Sequence, residues 1–241
     1  MSSYLPPDVV QAWHATTDVL ADRTRFTRAL AWLSPGERAR HDRFRHDADR
    51  QMFLLGRIMA RTIVGRLAGI TPTAWPWREG PKGRPEIGDD RIDLHFNLAH
   101  SAGMVVCAAA KARAVGVDVE DLERESTDRA VVQRYCAPAE IADIERLGED
   151  GWRGRFLEYW TLKEAYLKAR GLGIAVPLAE IHFTIDTEPR IDFLGSLAGT
   201  DAAWAFHLQR LTDRHLAALA VPADHRRPRF VIEPFPTSWL P

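Results

Sequence analysis

The segment Gly116-Val-Asp118-Val-Glu120 combines the alternation of a buried β-strand with two acidic side chains. Because side chains on a strand alternate between faces, Asp118 and Glu120 project from one side, and Val117 and Val119 point to the other. Two neighbouring carboxylates repel each other unless a cation joins them. Oxygen ligands without nearby His or Cys favour Mg²⁺ or Ca²⁺ over zinc. A solvated strand end explains the same pattern, so the segment by itself leaves the metal site open.

A second charged pair lies on a predicted helix, within Trp160-Thr-Leu-Lys163-Glu164-Ala-Tyr-Leu-Lys168. Glu164 and Lys168 are four residues apart and therefore share one helix face. An exposed ion pair is the simplest interpretation, and such pairs contribute only about 0.3–0.5 kcal/mol. In the functional interpretation, Glu164 is a metal ligand or a base and Lys168 is a cation for a phosphate.

Two further motifs offer groups that could bind an anion. His100, in His95-Phe-Asn-Leu-Ala-His100-Ser101, stands where a predicted strand becomes a loop. Arg84 lies in Gly83-Arg84-Pro85, where proline restricts it and its guanidinium could clamp a phosphate. The simpler interpretations are a partly buried histidine and an ordinary loop arginine.

Hydrophobic spacing and turn residues predict an α+β fold, in which helices and strands are segregated along the chain. Predicted helices cover residues 35–46, 49–69, 138–147 and 152–170. Predicted strands cover residues 95–98, 105–110, 114–119, 181–185, 204–209 and 215–221. The Pro/Gly-rich residues 71–91 are predicted to be irregular, and the proline-rich tail after residue 222 an extended surface segment. The order helix, helix, strands occurs twice, which suggests a two-fold duplication.

Length and composition exclude several classes of protein. The chain has 241 residues, a formal net charge of −1 and two cysteines, so neither a disulfide scaffold nor a four-thiolate zinc site is expected. Its longest apolar run, residues 104–110, is far shorter than the roughly 20 residues of a membrane-spanning helix. The N-terminus lacks the pattern of a secretory signal. We therefore expect a reduced, cytoplasmic protein with no membrane partner.

The balanced total charge hides an uneven distribution. Residues 23–66 hold eleven arginines and four acids, whereas residues 118–150 hold eleven acids and four arginines. Such runs can be solvent-exposed faces of helices. Alternatively, the basic run forms a binding surface for an anion, and the acidic run forms one for a metal or a basic partner. The chain lacks the G-x-x-x-x-G-K-[ST], G-x-G-x-x-G, G-x-S-x-G and H-E-x-x-H motifs. No nucleic-acid partner is indicated, because aromatic residues do not interleave with the arginines.

In their order and separation, three of these motifs resemble those of the 4′-phosphopantetheinyl transferases. They are Phe96-Asn-Leu-Ala-His100-Ser101, Gly116-Val-Asp-Val-Glu120 and Trp160-Thr-Leu-Lys-Glu164-Ala-Tyr-Leu-Lys168. Leu33-Ser-Pro-Gly-Glu-Arg38, Leu54-Leu-Gly56 with Arg61, and Gly83-Arg84-Pro85 also look like that family. The resemblance is greater to the surfactin-synthetase-activating, single-chain type.

The resemblance implies an α+β fold of two pseudo-two-fold-related halves, residues 1–112 and 113–241, each a small, mostly antiparallel sheet on a long helix. The implied activity is transfer of 4′-phosphopantetheine from coenzyme A to a serine of an acyl or peptidyl carrier protein, releasing adenosine 3′,5′-bisphosphate. Chains of this kind are expected to act as monomers.

The resemblance also implies roles for individual residues. Asp118, Glu120 and Glu164 would hold Mg²⁺ on the coenzyme A pyrophosphate. Asp118 would also belong to the coenzyme A binding site. Glu164 would be the base for the serine, and Lys168 would stabilise the pyrophosphate and the leaving group. The residues expected to contact the nucleotide are Arg40, Arg61, Arg84 and His100.

Departures from the family pattern concern the nucleotide contacts. Ala99 replaces a frequent Ser, Arg84 a frequent Lys, and Glu37 stands where relatives can carry a basic residue. Two alternatives stay open: a non-catalytic protein of the same fold that binds coenzyme A or carrier proteins, and a metal-dependent nucleotide hydrolase.

Overall fold

The structure, a computed structural model, describes residues 5–74, 77–80, 85–124, 128–173, 176–199, 203–223 and 227–241. The chain divides into two units, the first formed by residues 1–113 with 229–241 and the second by residues 114–228. No helix within the described ranges is long and apolar enough to cross a membrane.

Helices and strands are numbered along the chain. The helices are α1 (Arg23–Ala31), α2 (Pro35–Arg43), α3 (Asp47–Ala68), α4 (Arg129–Tyr135), α5 (Pro138–Glu145) and α6 (Gly148–Arg170). The strands are β1 (Val9–Thr16), β2 (Trp77–Glu79), β3 (Pro85–Ile87), β4 (Leu94–Ser101), β5 (Met104–Lys111), β6 (Gly116–Asp121), β7 (Ile181–Ile185), β8 (Pro189–Phe193), β9 (Trp204–Arg210), β10 (His215–Pro222) and β11 (Arg229–Pro234).

The first unit packs α3 against a four-stranded sheet of order β11-β1-β5-β4. Only the β1–β11 pair is parallel; β1 and β4 both run antiparallel to β5. Apolar residues recur on α3 at helical spacing, and Leu54, Leu55, Ile58 and Ile63 are fully buried in the core of this unit. The short hairpin β2–β3 follows α3.

The second unit packs α6 against an antiparallel sheet of order β6-β10-β9. Leu157, Leu162 and Leu167 on α6 share a core with Ala218 of β10 and Phe206 of β9. The hairpin β7–β8 extends this core. The fold class is therefore the predicted one, α+β with a mostly antiparallel sheet on a long helix in each unit.

Several predicted details differ from the structure. Helix α3 begins at Asp47 rather than after Asp49, and the proline-rich tail, predicted as an extended surface segment, contains strand β11, which pairs with β1. Residues 71–91 contain the hairpin β2–β3, and β1 and α1 had no sequence prediction. Helix α2 begins as the sequence suggests, with a capping box between Ser34 and Glu37.

Candidate active site

Strand β6 carries two acidic side chains that are almost completely buried. Asp118 is 6% exposed and Glu120 is 9% exposed. They lie opposite Ala218 and Leu216 of β10 in the antiparallel register. Because they are two residues apart on one strand, they share a face, as the sequence alternation predicts. Burial removes the water that would otherwise solvate these charges, so each carboxylate needs a partner.

Helix α6 brings Glu164 and Lys168 to the same strand. A Cβ added at Gly116, at the start of β6, would lie 2.0 Å from the carbonyl oxygen of Ala165 and 2.4 Å from the backbone nitrogen of Ala169. The helix backbone therefore touches the strand backbone, and a side chain at position 116 would prevent this approach. As a result, Lys168 Nζ lies 2.6 Å from Asp118 Oδ1 in an ion pair.

The electrostatics of this cluster show an excess of negative charge. Burial, followed by the charges of Asp118 and Glu120, raises the pKa of Glu164 to about 7, although Lys168 opposes the shift. Burial and the charge of Asp118 likewise raise the pKa of Glu120. Buried carboxyls with raised pKa values are typical of functional sites, and their clustering favours binding of a cation.

Two side chains hold Glu120 in place. The indole nitrogen of Trp160 donates a hydrogen bond to Glu120 Oε1 at 2.9 Å, and Arg124 Nη1 lies 3.4 Å from Glu120 Oε2. The Trp160 ring packs edge-on against Tyr135, with ring centroids 5.4 Å apart. Neither Trp160 nor Arg124 had an assigned role in the sequence analysis, although Trp160 begins the motif that contains Glu164.

Trp160→Phe tests the hydrogen bond to Glu120, because it keeps an aromatic ring and removes the donor. We expect the free energy of unfolding to fall by about 1–3 kcal/mol, the cost of leaving a buried acceptor without its donor. Urea denaturation measures this loss. Trp152→Phe on the same helix is the control, since the Trp152 ring packs in the core of the second unit and lies against Arg129 and Arg153 rather than a carboxylate. An equal loss in both variants would contradict the role of the hydrogen bond.

The carboxylate oxygens of this cluster are suitable ligands for magnesium, although they do not by themselves form a complete coordination shell. No three His, Cys, Asp or Glu side chains among the described residues already surround a possible metal position. However, Glu164 Oε1 is buried and has no hydrogen-bond partner within the described ranges. Mg²⁺ usually takes one or two protein carboxylates and completes its shell with water and substrate phosphates. An incomplete set of Asp118, Glu120 and Glu164 agrees with that preference.

The first unit holds a separate basic cluster around Glu37. Arg61 Nη2 lies 2.7 Å from Glu37 Oε2 and Arg57 Nε lies 3.4 Å from Glu37 Oε1, with all three residues buried. The guanidinium carbons of Arg57 and Arg61 also stand 4.6 and 5.1 Å from the centre of the Trp77 ring. Burial and the charges of Arg40 and Arg61 lower the pKa of Arg57 to about 10, although Glu37 opposes them. Glu37 is thus turned inward, as the counter-ion of two arginines.

The other expected nucleotide contacts lie on different parts of the first unit. Arg40 is half exposed on α2 and pairs with Glu79 at 3.1 Å. His100 is exposed near the end of β4, opposite Val105. Arg84 lies outside the described residues. The structure therefore gathers Asp118, Glu120, Glu164 and Lys168 in the second unit and places Arg40, Arg61 and His100 in the first.

Comparison with known proteins extends over both units. Residues 114–220 match the family model of the 4′-phosphopantetheinyl transferase superfamily, and residues 13–112 match the model of the 4′-phosphopantetheinyl transferase N-terminal domain. A phosphopantetheinyl transferase of Thraustochytrium sp. is 34% identical over 231 residues, which cover 90% of this chain and 80% of the relative.

Two bacterial relatives show similar matches. The 4′-phosphopantetheinyl transferase HetI of Nostoc sp. is 33% identical over 226 residues, 92% of each chain. The 4′-phosphopantetheinyl transferase Sfp of Bacillus subtilis is 28% identical over 151 residues, which cover 63% of this chain and 66% of the relative.

Proposed function

Since this chain belongs to the 4′-phosphopantetheinyl transferase superfamily, we propose that its buried carboxylate cluster transfers 4′-phosphopantetheine from coenzyme A to a serine of an acyl or peptidyl carrier protein. The observation that carries the proposal is the meeting of Asp118, Glu120, Glu164 and Lys168 on β6 and α6. The partner supplies the attacking hydroxyl, so the enzyme itself needs no nucleophile.

The reaction exchanges the phosphoanhydride bond of coenzyme A for a phosphodiester bond to serine. A bond forms between the serine Oγ and the pantetheine-side phosphorus, and the bond from that phosphorus to the bridging oxygen breaks. Adenosine 3′,5′-bisphosphate leaves with the electron pair of that bond. Glu164 accepts the serine proton, directly or through a water, and Lys168 neutralises charge on the pyrophosphate and the leaving group. Phosphoryl transfer depends mainly on such positioning and charge neutralisation.

Asp118, Glu120 and Glu164 are the proposed magnesium ligands. Bound Mg²⁺ supplies the positive charge that offsets the charge developing on the phosphate oxygens. Lys168 partly neutralises Asp118, with Nζ 2.6 Å from Oδ1. The raised pKa values of Glu120 and Glu164 support this assignment, because burial and neighbouring carboxylates disfavour their ionised forms, a cost that a bound cation would offset.

The nucleotide contacts are proposed for the first unit. We assign Arg40 and His100 to the 3′-phosphate side of coenzyme A and Arg84 to the adenine and its phosphates. Arg61 belongs to the same region but is buried against Glu37 and Trp77, so it supports the nucleotide contacts through these neighbours. Acidic carrier proteins are expected on the basic side of the molecule, and the enzyme is expected to act as a monomer.

Mass spectrometry of carrier proteins tests the proposal. The protein is incubated with coenzyme A, Mg²⁺ and several apo carrier proteins, and we expect at least one carrier to gain the mass of phosphopantetheine. A reaction with EDTA in place of Mg²⁺ should give no product. Absence of product on every carrier would refute transfer. Adenosine 3′,5′-bisphosphate formed without a carrier would indicate a hydrolase, and coenzyme A binding without turnover a non-catalytic binding protein.

A further inference from the structure

A lysine next to the proposed base is sealed inside the second unit. The side chain of Lys163 is 1% exposed. Its Nζ donates to Glu140 Oε2 at 2.6 Å and to the carbonyl oxygens of Tyr135 and Leu178 at 2.9 Å each. These three contacts use all the donors of an ammonium group. Lys163 is therefore fully bonded within the protein and is not available to bind a substrate phosphate.

Glu140 is equally enclosed and connects further parts of the unit. Its side chain is 0% exposed, and besides Lys163 it accepts hydrogen bonds from the backbone nitrogens of Ala137 at 2.7 Å and Phe183 at 2.8 Å. Together the pair joins α6 to the end of α4, the start of α5, the 3₁₀ turn Leu178–Glu180 and β7. Such a complete buried network fixes the elements that it joins.

We infer that Lys163 and Glu140 are positioning residues that set the direction of Glu164. Successive side chains on an α-helix point about 100° apart. Lys163 fixes the face of α6 that packs on α5, and the carbonyl of Ala165 fixes the face that touches Gly116 of β6. Glu164 lies between these two contacts in the sequence of α6. Because the two contacts fix the rotation of the helix about its axis, they determine the direction in which the Glu164 carboxylate points. The inference rests on the proposed function of Glu164.

The first unit contains the same arrangement. Glu37 occupies the third position of α2, as Glu140 does in α5, and each helix has a proline in its first turn. Glu37 Oε2 accepts from the backbone nitrogen of Ser34 at 2.9 Å and from Arg61 of the long helix α3 at 2.7 Å. In both units, one glutamate oxygen therefore caps a short helix and binds a buried cation on the long helix. This recurrence indicates that the pair orients the long helix rather than merely filling the core.

Three variants and a control distinguish a role of Lys163 and Glu140 in positioning Glu164 from a role in stability alone. Lys163→Met and Glu140→Gln each leave one partner of a buried pair uncompensated, and Tm should fall by about 6–20 °C. The double variant Lys163→Met/Glu140→Gln is neutral throughout, so its Tm should fall by less than the sum of the two single losses. Arg155→Met is the control, since Arg155 of α6 forms partly exposed ion pairs with Asp143 of α5 and Glu158 of α6.

The deciding measurement is the split between kcat and KM for coenzyme A, taken at about 15 °C and corrected for the folded fraction by circular dichroism. We expect kcat to fall at least tenfold in Glu140→Gln and in the double variant, with KM changed less than threefold, because a small misplacement of a reacting group is costly. Arg155→Met should keep the wild-type kcat. If the folded double variant or folded Glu140→Gln has the wild-type kcat, the pair only stabilises and the inference is wrong. A wild-type protein that modifies no carrier would instead refute the proposed function.

Discussion

Glu164→Gln should reduce phosphopantetheine transfer by about 10²–10⁴-fold, the usual contribution of a general base, while the protein stays folded. The amide keeps the size of the side chain but cannot accept the serine proton, and it is a weaker magnesium ligand than a carboxylate. The measurement is kcat with a carrier that the wild type modifies, together with a thermal unfolding curve. Glu158→Gln is the matched control, because Glu158 lies on the same helix and pairs with Arg155 at 3.0 Å. Wild-type turnover in Glu164→Gln would remove this residue from the mechanism.

The same substitution has a second expected effect in metal-free protein. The pKa of Glu164 is raised to about 7 in the folded chain, above its usual 4.5, so folding favours the protonated carboxyl. Ionised Glu164 therefore costs stability, and this cost grows as the pH rises from about 4.5 to 7. With EDTA present, Glu164→Gln should have a higher Tm than the wild type at pH 8 and a smaller difference at pH 5. A lower Tm at pH 8 would contradict the cost that burial and the charges of Asp118 and Glu120 impose on ionised Glu164.

Local periodicity was sufficient to predict the acidic faces of this site. Strand alternation places Asp118 and Glu120 together, and helical spacing places Glu164 and Lys168 together, as the structure has them. The meeting of the strand with the helix depends on Gly116, where the two backbones touch. A lone glycine in a strand pattern indicates such an approach but does not say which element makes it.

Pairings between distant residues were not predictable from local sequence. The parallel pairing of β1 with β11 joins the start of the chain to its tail, and Trp13 donates to Glu233 at 3.0 Å. The prolines of the tail predicted an extended surface segment with no pairing partner, whereas an edge strand tolerates proline at its end. Periodicity describes the residues of one segment and carries no information on its partner 220 residues away.

The acidic and basic runs also show that local sequence does not reveal which charged residues are buried. The interpretation of the acidic run as a solvent-exposed face is correct for Glu145, Glu149 and Asp150, which are exposed. It is wrong for Glu140, which pairs with Lys163 in the core, and for Asp121, which is 9% exposed and accepts two hydrogen bonds from Arg214 at 2.8 and 2.7 Å. Composition cannot distinguish these cases, because the partner that permits burial lies elsewhere in the chain. The arginine-rich run is similarly divided, since Arg57 and Arg61 are buried and Arg40 is half exposed.

Gly116→Ala should destabilise the second unit by about 3 kcal/mol or more, the upper end of the cost of overpacking a core. The added Cβ would lie 2.0 Å from the carbonyl oxygen of Ala165 and 2.4 Å from the nitrogen of Ala169, both of which are backbone atoms that cannot turn away. Helix α6 must therefore move off β6, which also separates Glu164 and Lys168 from Asp118. We expect urea denaturation to show the lost stability and steady-state kinetics to show a lower kcat in the fraction that stays folded.

Gly154→Ala provides the matched control for this prediction. Gly154 lies on α6 with no atom within 4 Å of an added Cβ, so alanine there should stabilise the helix by about 0.5–1 kcal/mol. The two Gly→Ala changes therefore have opposite expected effects on stability, although each adds only one methyl group, one on β6 and the other on α6. If Gly116→Ala were as stable as the wild type, the close approach of strand and helix could not be what brings the base and the lysine to the acidic strand.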